Sequence, residues 1–149
     1  MLMMWLALGC APPTKTEGLP SVSFIFPQSR TDVVVCPDFL VSVDIDDWEV
    51  VMYEDGQEAE EAARTGHWHL RDASGEYLAI ASESWVPISL EDDFSTPELV
   101  VITAHLANHD HNELDPREYP DSEATAEFMV GDTEDCVGGG NGTTDTAGY

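Results

Sequence analysis

The stretch FLVSVDID, residues 39–46, alternates apolar and polar side chains with a period of two. Phe39, Val41, Val43 and Ile45 fall on one face of an extended chain, and Ser42, Asp44 and Asp46 fall on the other. Because successive side chains of a β-strand point to opposite faces, this alternation predicts an antiparallel strand with one buried face and one hydrated face.

The same period recurs in other short segments that are separated by turn-rich gaps. It predicts further strands at 21–26, 48–53, 66–72, 76–81, 85–90, 98–107 and 124–130. Residues 54–64 predict an acidic loop or one short helix. No long amphipathic helix interrupts the series, which disfavours parallel β-α-β folds. The prediction is an all-β fold, an immunoglobulin-like antiparallel β-sandwich of seven to nine short strands spanning residues 21–132.

Composition fits one globular domain with an extreme surface charge. The 149 residues are 42% hydrophobic, enough for a core of useful size. The formal net charge is −25, from 30 acidic and 5 basic side chains. Such a surface repels phosphate backbones, so we do not expect nucleic acid as a partner. The carboxylates either form a solubilising, salt-adapted surface or bind a cation such as Ca²⁺.

The N-terminal run MLMMWLALGC, residues 1–10, resembles the C-terminal half of a bacterial lipoprotein signal peptide. The resemblance implies that residues 1–9 are a signal segment and that Cys10 is lipidated. The protein would then be anchored in the cell envelope, facing the periplasm or the exterior, with residues 10–20 as a flexible tether. The apolar run is too short to cross a bilayer, which needs about 20 residues. The alternative is an apolar N-terminus that is not processed.

The two remaining cysteines and the C-terminal tail bound the domain. An even pair in an exported protein predicts a disulfide between Cys36 and Cys136. It would close a loop of about 100 residues and stabilise the fold by roughly 4 to 5 kcal/mol. The alternative is two buried free thiols. Residues 133–149 have few apolar side chains, which predicts a disordered tail.

All five histidines fall into two clusters, GHWH at residues 66–69 and HLANHDH at residues 105–111. On a strand, His67 and His69 share one face, whereas His109 and His111 lie where the strand 98–107 gives way to a loop. Neutral imidazole is the commonest side-chain ligand of transition metals. Our hypothesis is that His67 and His69, with His109 or His111, bind Cu²⁺ or Zn²⁺ where the two segments meet at an edge of the sandwich, with His105 uninvolved.

Carboxylates near the second cluster are candidates to orient a ring nitrogen of a metal ligand. They are Asp110, Glu113 and Asp115. The competing interpretation is that the histidines are structural and make only cross-strand or loop hydrogen bonds.

The segments GHWHLRD, residues 66–72, and DHNELDP, residues 110–116, together resemble an uncharacterised family of bacterial domains that are usually exported. Its members carry a Gly-His-His/Trp-His strand and a later Asp-His-x-x-Leu-x-Pro segment, and the likeness covers residues 20–132. The resemblance implies an immunoglobulin-type sandwich and an exported protein. His67, His69 and His111 match the family pattern.

No complete catalytic motif is present in the sequence: there is no G-x-S-x-G elbow, phosphate loop or H-E-x-x-H. We therefore predict a non-enzymatic envelope lipoprotein with a histidine-lined Cu²⁺ or Zn²⁺ site. A second hypothesis is a surface binding or structural module with structural histidines, in which Trp48, Trp68 or Trp85 contacts a protein or glycan. For Trp68, packing in the core is the favoured alternative. A metal-dependent enzyme is the third.

Overall fold

The computed structural model describes residues 18–51 and 64–138. Within these residues it contains nine β-strands and no helix long and apolar enough to span a membrane. The strands are β1 (Ser21–Phe26), β2 (Arg30–Val35), β3 (Asp38–Asp46), β4 (Glu49–Val50), β5 (Thr65–Asp72), β6 (Tyr77–Ala81), β7 (Trp85–Ser89), β8 (Glu98–Ala107) and β9 (Glu123–Val130). The predicted all-β sandwich is confirmed.

Two sheets make up the sandwich. The smaller has the order β1-β3-β7 and is antiparallel. The larger has the order β2-β9-β8-β5-β4, with β6 also paired to β5. In this larger sheet β2 runs parallel to β9 and β4 runs parallel to β5, so it is mixed rather than purely antiparallel as predicted. The central strand β5 therefore has neighbours on both sides.

The strand β2 was not predicted, and β4 lies within the strand predicted at 48–53. The sequence of β2, RTDVVV, begins with exposed polar residues and ends in a run of valines, so it has no period of two. Its pairing with β9 depends on a distant segment and contains a register shift. Within the described part of the strand predicted at 48–53, Glu49–Val50 pairs with β5 and the N–H of Val51 donates to the carbonyl of Gly66. Residues 52–63, which hold most of the predicted loop or helix, lie outside the described residues.

The core lies between the two sheets and is built from the inward-facing side chains that the alternation predicts. Val41 and Val43 of β3 are fully buried, as are Ile102 and Leu106 of β8. Trp68 is also completely buried, as expected, and its Nε1 donates a hydrogen bond to the carbonyl oxygen of Glu83 at 2.7 Å. The other tryptophans considered as contact residues are half-buried (Trp48) and exposed (Trp85).

The predicted disulfide between Cys36 and Cys136 is confirmed. Beside it, the N–H of Val137 donates to the carbonyl of Val34, and the carbonyl of Val137 accepts from the N–H of Cys36. These bonds hold residues 133–138 against β2, so the sandwich continues past the boundary predicted at 132. The predicted signal segment, the lipidation site Cys10 and the tail beyond Gly138 lie outside the described residues.

Candidate metal centre

The strand β5 presents two different faces. Its register with β8 pairs Trp68 with Leu106 and His69 with His105. Trp68 and Leu70 therefore point into the core, while His67, His69 and Arg71 lie on the opposite, outer face of the larger sheet. The two histidine segments meet, as predicted, but they do so on the outer face of the larger sheet and not at an edge, because β5 has paired strands on both sides.

A close approach of the backbone precedes the first histidine. A Cβ atom on Gly66 would overlap the carbonyl oxygen of Ala107 and touch the ring of Trp48. Only glycine allows β8 to lie this close to the start of β5. The glycine of the GHWH motif thus brings the end of β8, and the loop that follows it, over His67.

The loop after β8 folds back over the outer face of β5. The side-chain oxygen of Asn108 accepts hydrogen bonds from the N–H groups of Asp110 and Asn112, each at 3.0 Å. The chain then rejoins β8, because the N–H of Leu114 donates to the carbonyl of Leu106 at 2.9 Å. His111 has a φ of 60°, in the left-handed region, which histidine tolerates better than β-branched residues do. The loop thereby places the His111 ring against His67, with ring centroids 4.5 Å apart.

Three ring nitrogens converge at this point. His67 Nε2 lies 2.9 Å from His69 Nε2 and 3.1 Å from His111 Nδ1. All three atoms lie within 4.8 Å of one another, close enough to hold one metal ion. His67 is 3% exposed and His69 is 0% exposed, whereas His111 faces solvent.

Glu113 fixes the orientation of His69. Its Oε1 accepts a hydrogen bond from His69 Nδ1 at 3.0 Å and another from Arg71 Nε at 2.7 Å. With its proton on Nδ1, a neutral His69 presents the lone pair of Nε2 towards His67. The arrangement is the carboxylate–histidine pair that commonly supports a metal ligand.

Burial keeps the imidazoles neutral. Desolvation, together with the neighbouring rings of His69, His111 and His109, lowers the pKa of His67 from 6.5 to about 4. Desolvation also lowers the pKa of His69, against the opposing effect of Glu113. Burial raises the pKa of Glu113, but the hydrogen bonds from His69 and Arg71 outweigh it, so the net shift is downward. At neutral pH the site therefore combines two neutral buried rings, those of His67 and His69, with a charged carboxylate.

The other predicted site residues lie around this cluster and have different contacts. His109 Nε2 lies 3.0 Å from Thr65 Oγ1, and the residue is not part of the group of three converging histidines. Asp110 is exposed, and its backbone N–H helps to close the loop. The carboxylate of Asp115 accepts a hydrogen bond from the N–H of Arg117 at 2.9 Å and stabilises the following turn. His105 Nδ1 faces carboxylates, 3.4 Å from Glu123 Oε2 and 3.8 Å from Glu113 Oε2.

Two residues that sequence reasoning did not select complete the wall of the site. The Tyr77 ring packs edge-on against His69 with centroids 5.0 Å apart, and the Arg71 guanidinium lies 4.0 Å above the Tyr77 ring. Arg71 also donates to the Tyr77 hydroxyl at 2.6 Å and to the carbonyl of Gly75 at 2.7 Å. Strand alternation places Arg71 on the histidine face, but Tyr77 reaches it only through a register shift between β5 and β6.

Comparison with protein-family models, with curated proteins and with solved structures finds no match to this chain. The function is therefore inferred from the geometry of the site.

Proposed function

We propose that this chain is a metal-binding protein in which His67, His69 and His111 bind one Zn²⁺ or Cu²⁺ ion. The observation that carries the proposal is the position of His67 Nε2, which faces two other ring nitrogens at 2.9 and 3.1 Å. A ring nitrogen carries either one hydrogen or one lone pair, so a full-strength hydrogen bond satisfies only one of these contacts. A metal ion accepts the lone pairs of all three rings.

The spacing of the nitrogens supports the same proposal. Zinc–nitrogen bonds of about 2.0 to 2.1 Å in tetrahedral geometry separate the ligand atoms by about 3.3 to 3.4 Å. The observed separations of 2.9 and 3.1 Å are shorter by only a few tenths of an ångström. Small rotations of the rings, above all of the exposed His111, accommodate the difference.

Charge and protonation favour a cation at this position. The buried rings are neutral at pH 7 because the pKa of His67 is about 4, so metal uptake displaces few protons. Glu113 adds a carboxylate behind His69 at 3.0 Å. The formal net charge of −25 raises the concentration of cations around the whole protein. Ca²⁺ is a poor candidate here because it prefers oxygen ligands.

The test is metal binding by the full chain after treatment with a chelator, followed by addition of Zn²⁺ or Cu²⁺ and desalting. We expect one ion per chain, measured by elemental analysis. At a free-ion concentration 100 times Kd, binding to the folded state raises the free energy of unfolding by about 2.7 kcal/mol. Absorption spectroscopy at the metal edge then distinguishes tetrahedral zinc from tetragonal copper.

Matched variants identify the ligands. We expect His67→Gln, His69→Gln and His111→Asn to lose the bound ion and the gain in stability, and His105→Gln to retain both. His111→Asn keeps the test decisive if the two buried variants do not fold, since residue 111 is exposed. Equal metal content in all four variants contradicts the proposal.

We also propose that the protein is a lipoprotein of the bacterial envelope, held at a membrane through Cys10. We further propose that it is a member of the family of exported domains that its two histidine segments resemble, with an immunoglobulin-like sandwich. The disulfide between Cys36 and Cys136 supports an oxidising compartment. Incorporation of a labelled fatty acid in the wild type, lost in Cys10→Ala, is the expected result. Absence of label from the wild type overturns this part of the proposal. We propose that the protein binds a metal ion but does not catalyse a reaction, and that it does not bind nucleic acid.

A further inference from the structure

We propose that a metal ion held by the three histidines keeps one coordination position open to solvent, and that this position takes a small anionic Lewis base. This inference rests on the proposed metal site and adds the ligand class that the site accepts. Zinc binds four ligands, and a site with three protein ligands leaves the fourth to water or to an exogenous molecule. The three converging nitrogens form such a set.

The side chains that could supply a fourth ligand already have other contacts. His109 Nε2 is engaged with Thr65 Oγ1 at 3.0 Å. Glu113 Oε1 accepts hydrogen bonds from both His69 and Arg71, and its second oxygen faces His105. Moving Glu113 onto the metal would remove the hydrogen bond that sets the tautomer of His69. Among the described residues, the group within reach of one ion contains three ligands.

The open side is the side of the covering loop. The sheet, Tyr77 and Glu113 enclose His67 and His69, which are 3% and 0% exposed. In contrast, His111 and its neighbours Asp110 and Asn112 are exposed. A small molecule can approach the bound ion beside the His111 ring without displacing any part of the sheet.

The charge of the bound metal ion determines which class of small molecule can occupy the open position. All three protein ligands are neutral imidazoles, so the bound ion keeps its full charge of two at the open position. Glu113, the carboxylate that hydrogen-bonds to His69, is neutralised by its contact with Arg71 at 2.7 Å. Strong donors that are small and negatively charged therefore compete best with water at this position, and azide is a suitable probe.

The experiment uses the full chain loaded with one Cu²⁺ or Co²⁺ and titrated with sodium azide, followed by visible absorption. We expect a saturable change of the spectrum at one azide per metal, with the ion still bound after desalting. A control of sodium perchlorate at equal ionic strength, whose anion does not coordinate these metals, should leave the spectrum unchanged. A spectrum that does not respond to azide, in protein that carries one ion, overturns the open position and leaves the metal site standing.

The variant His109→Ala tests the strongest alternative, in which His109 turns towards the ion and becomes the fourth ligand. If the position is open, this variant and the wild type should bind azide with affinities within about twofold of each other. The control variant His105→Gln should also bind azide with an affinity within about twofold of the wild type. An azide response that is absent or much weaker in the wild type and appears in His109→Ala overturns the inference. Failure to take up any metal contradicts the proposed function itself, so the two failures are distinguishable.

Discussion

The two faces of β5 are equally buried and chemically opposite. On the inner face Trp68 is 0% exposed because the second sheet packs on it, and on the outer face His69 is 0% exposed because a loop, Glu113 and Tyr77 cover it. Apolar burial stabilises the fold by about 25 cal/mol per Å². A buried polar group without a full partner instead costs about 1 to 3 kcal/mol. The inner face therefore stabilises the fold, whereas the buried histidines of the outer face contribute less to the free energy of unfolding.

The largest effect is expected on the inner face. Trp68→Ala should lower the free energy of unfolding of the metal-free protein by about 3 to 5 kcal/mol, because it removes the largest core side chain and leaves the Glu83 carbonyl without its donor. His69→Gln, one position along on the outer face, should cost less, about 1 to 3 kcal/mol. Urea unfolding measures both. Equal losses would show that the covered face contributes as much to stability as the core.

A dependence of stability on pH is expected from His67 on the outer face. The pKa of His67 is 6.5 when unfolded and about 4 when folded, so between these values the unfolded chain binds more protons. The contribution of His67 to stability without metal is therefore full above pH 6.5 and falls as the pH drops towards 4, by at most about 1.4 kcal/mol per pH unit. Urea unfolding at several pH values measures the slope.

The control for this dependence is His67→Gln, which removes the titrating ring. Its slope between pH 6.5 and 4 should be shallower than that of the wild type, with a residual part from His69, whose pKa is also lowered. Identical slopes would mean that the ring of His67 does not cause the loss of stability in acid.

A smaller effect is expected from the carboxylate behind the site. Glu113→Gln keeps an oxygen that can accept from His69 Nδ1, but it removes the charge and the ion pair with Arg71. Changes of this kind typically weaken metal binding 10- to 100-fold. Glu123→Gln is the matched control, since Glu123 faces His105, which is outside the cluster. Calorimetric titration with Zn²⁺ measures both, and equal affinities would remove Glu113 from the site.

The difference between the faces also separates what the sequence could predict from what it could not. Strand parity correctly predicted Trp68 inside and His67 with His69 on one face, because both follow from the period of two. It could not predict that the outer face is buried, because that burial comes from a loop closed by Asn108 and carrying His111 at positive φ. The choice between His109 and His111 depends on the same local turn. Contacts such as Tyr77 on His69 depend on a register shift that no periodicity reveals.

The smallest effect on the free energy of unfolding is expected at the exposed residue His111. Its variant separates the contribution of the outer face to stability from its proposed role in metal binding. In His111→Asn the left-handed backbone is retained by a residue that adopts it readily, and the contacts that are lost are those of the ring with His67 and His69 and not with the apolar core. The free energy of unfolding without metal should therefore change by no more than about 0.5 kcal/mol. The stabilisation by Zn²⁺ should nevertheless be lost, because two imidazoles remain where three converged. A variant that is stabilised by Zn²⁺ as much as the wild type would reduce the site to the pair on β5, and the covering loop would then serve only to exclude water.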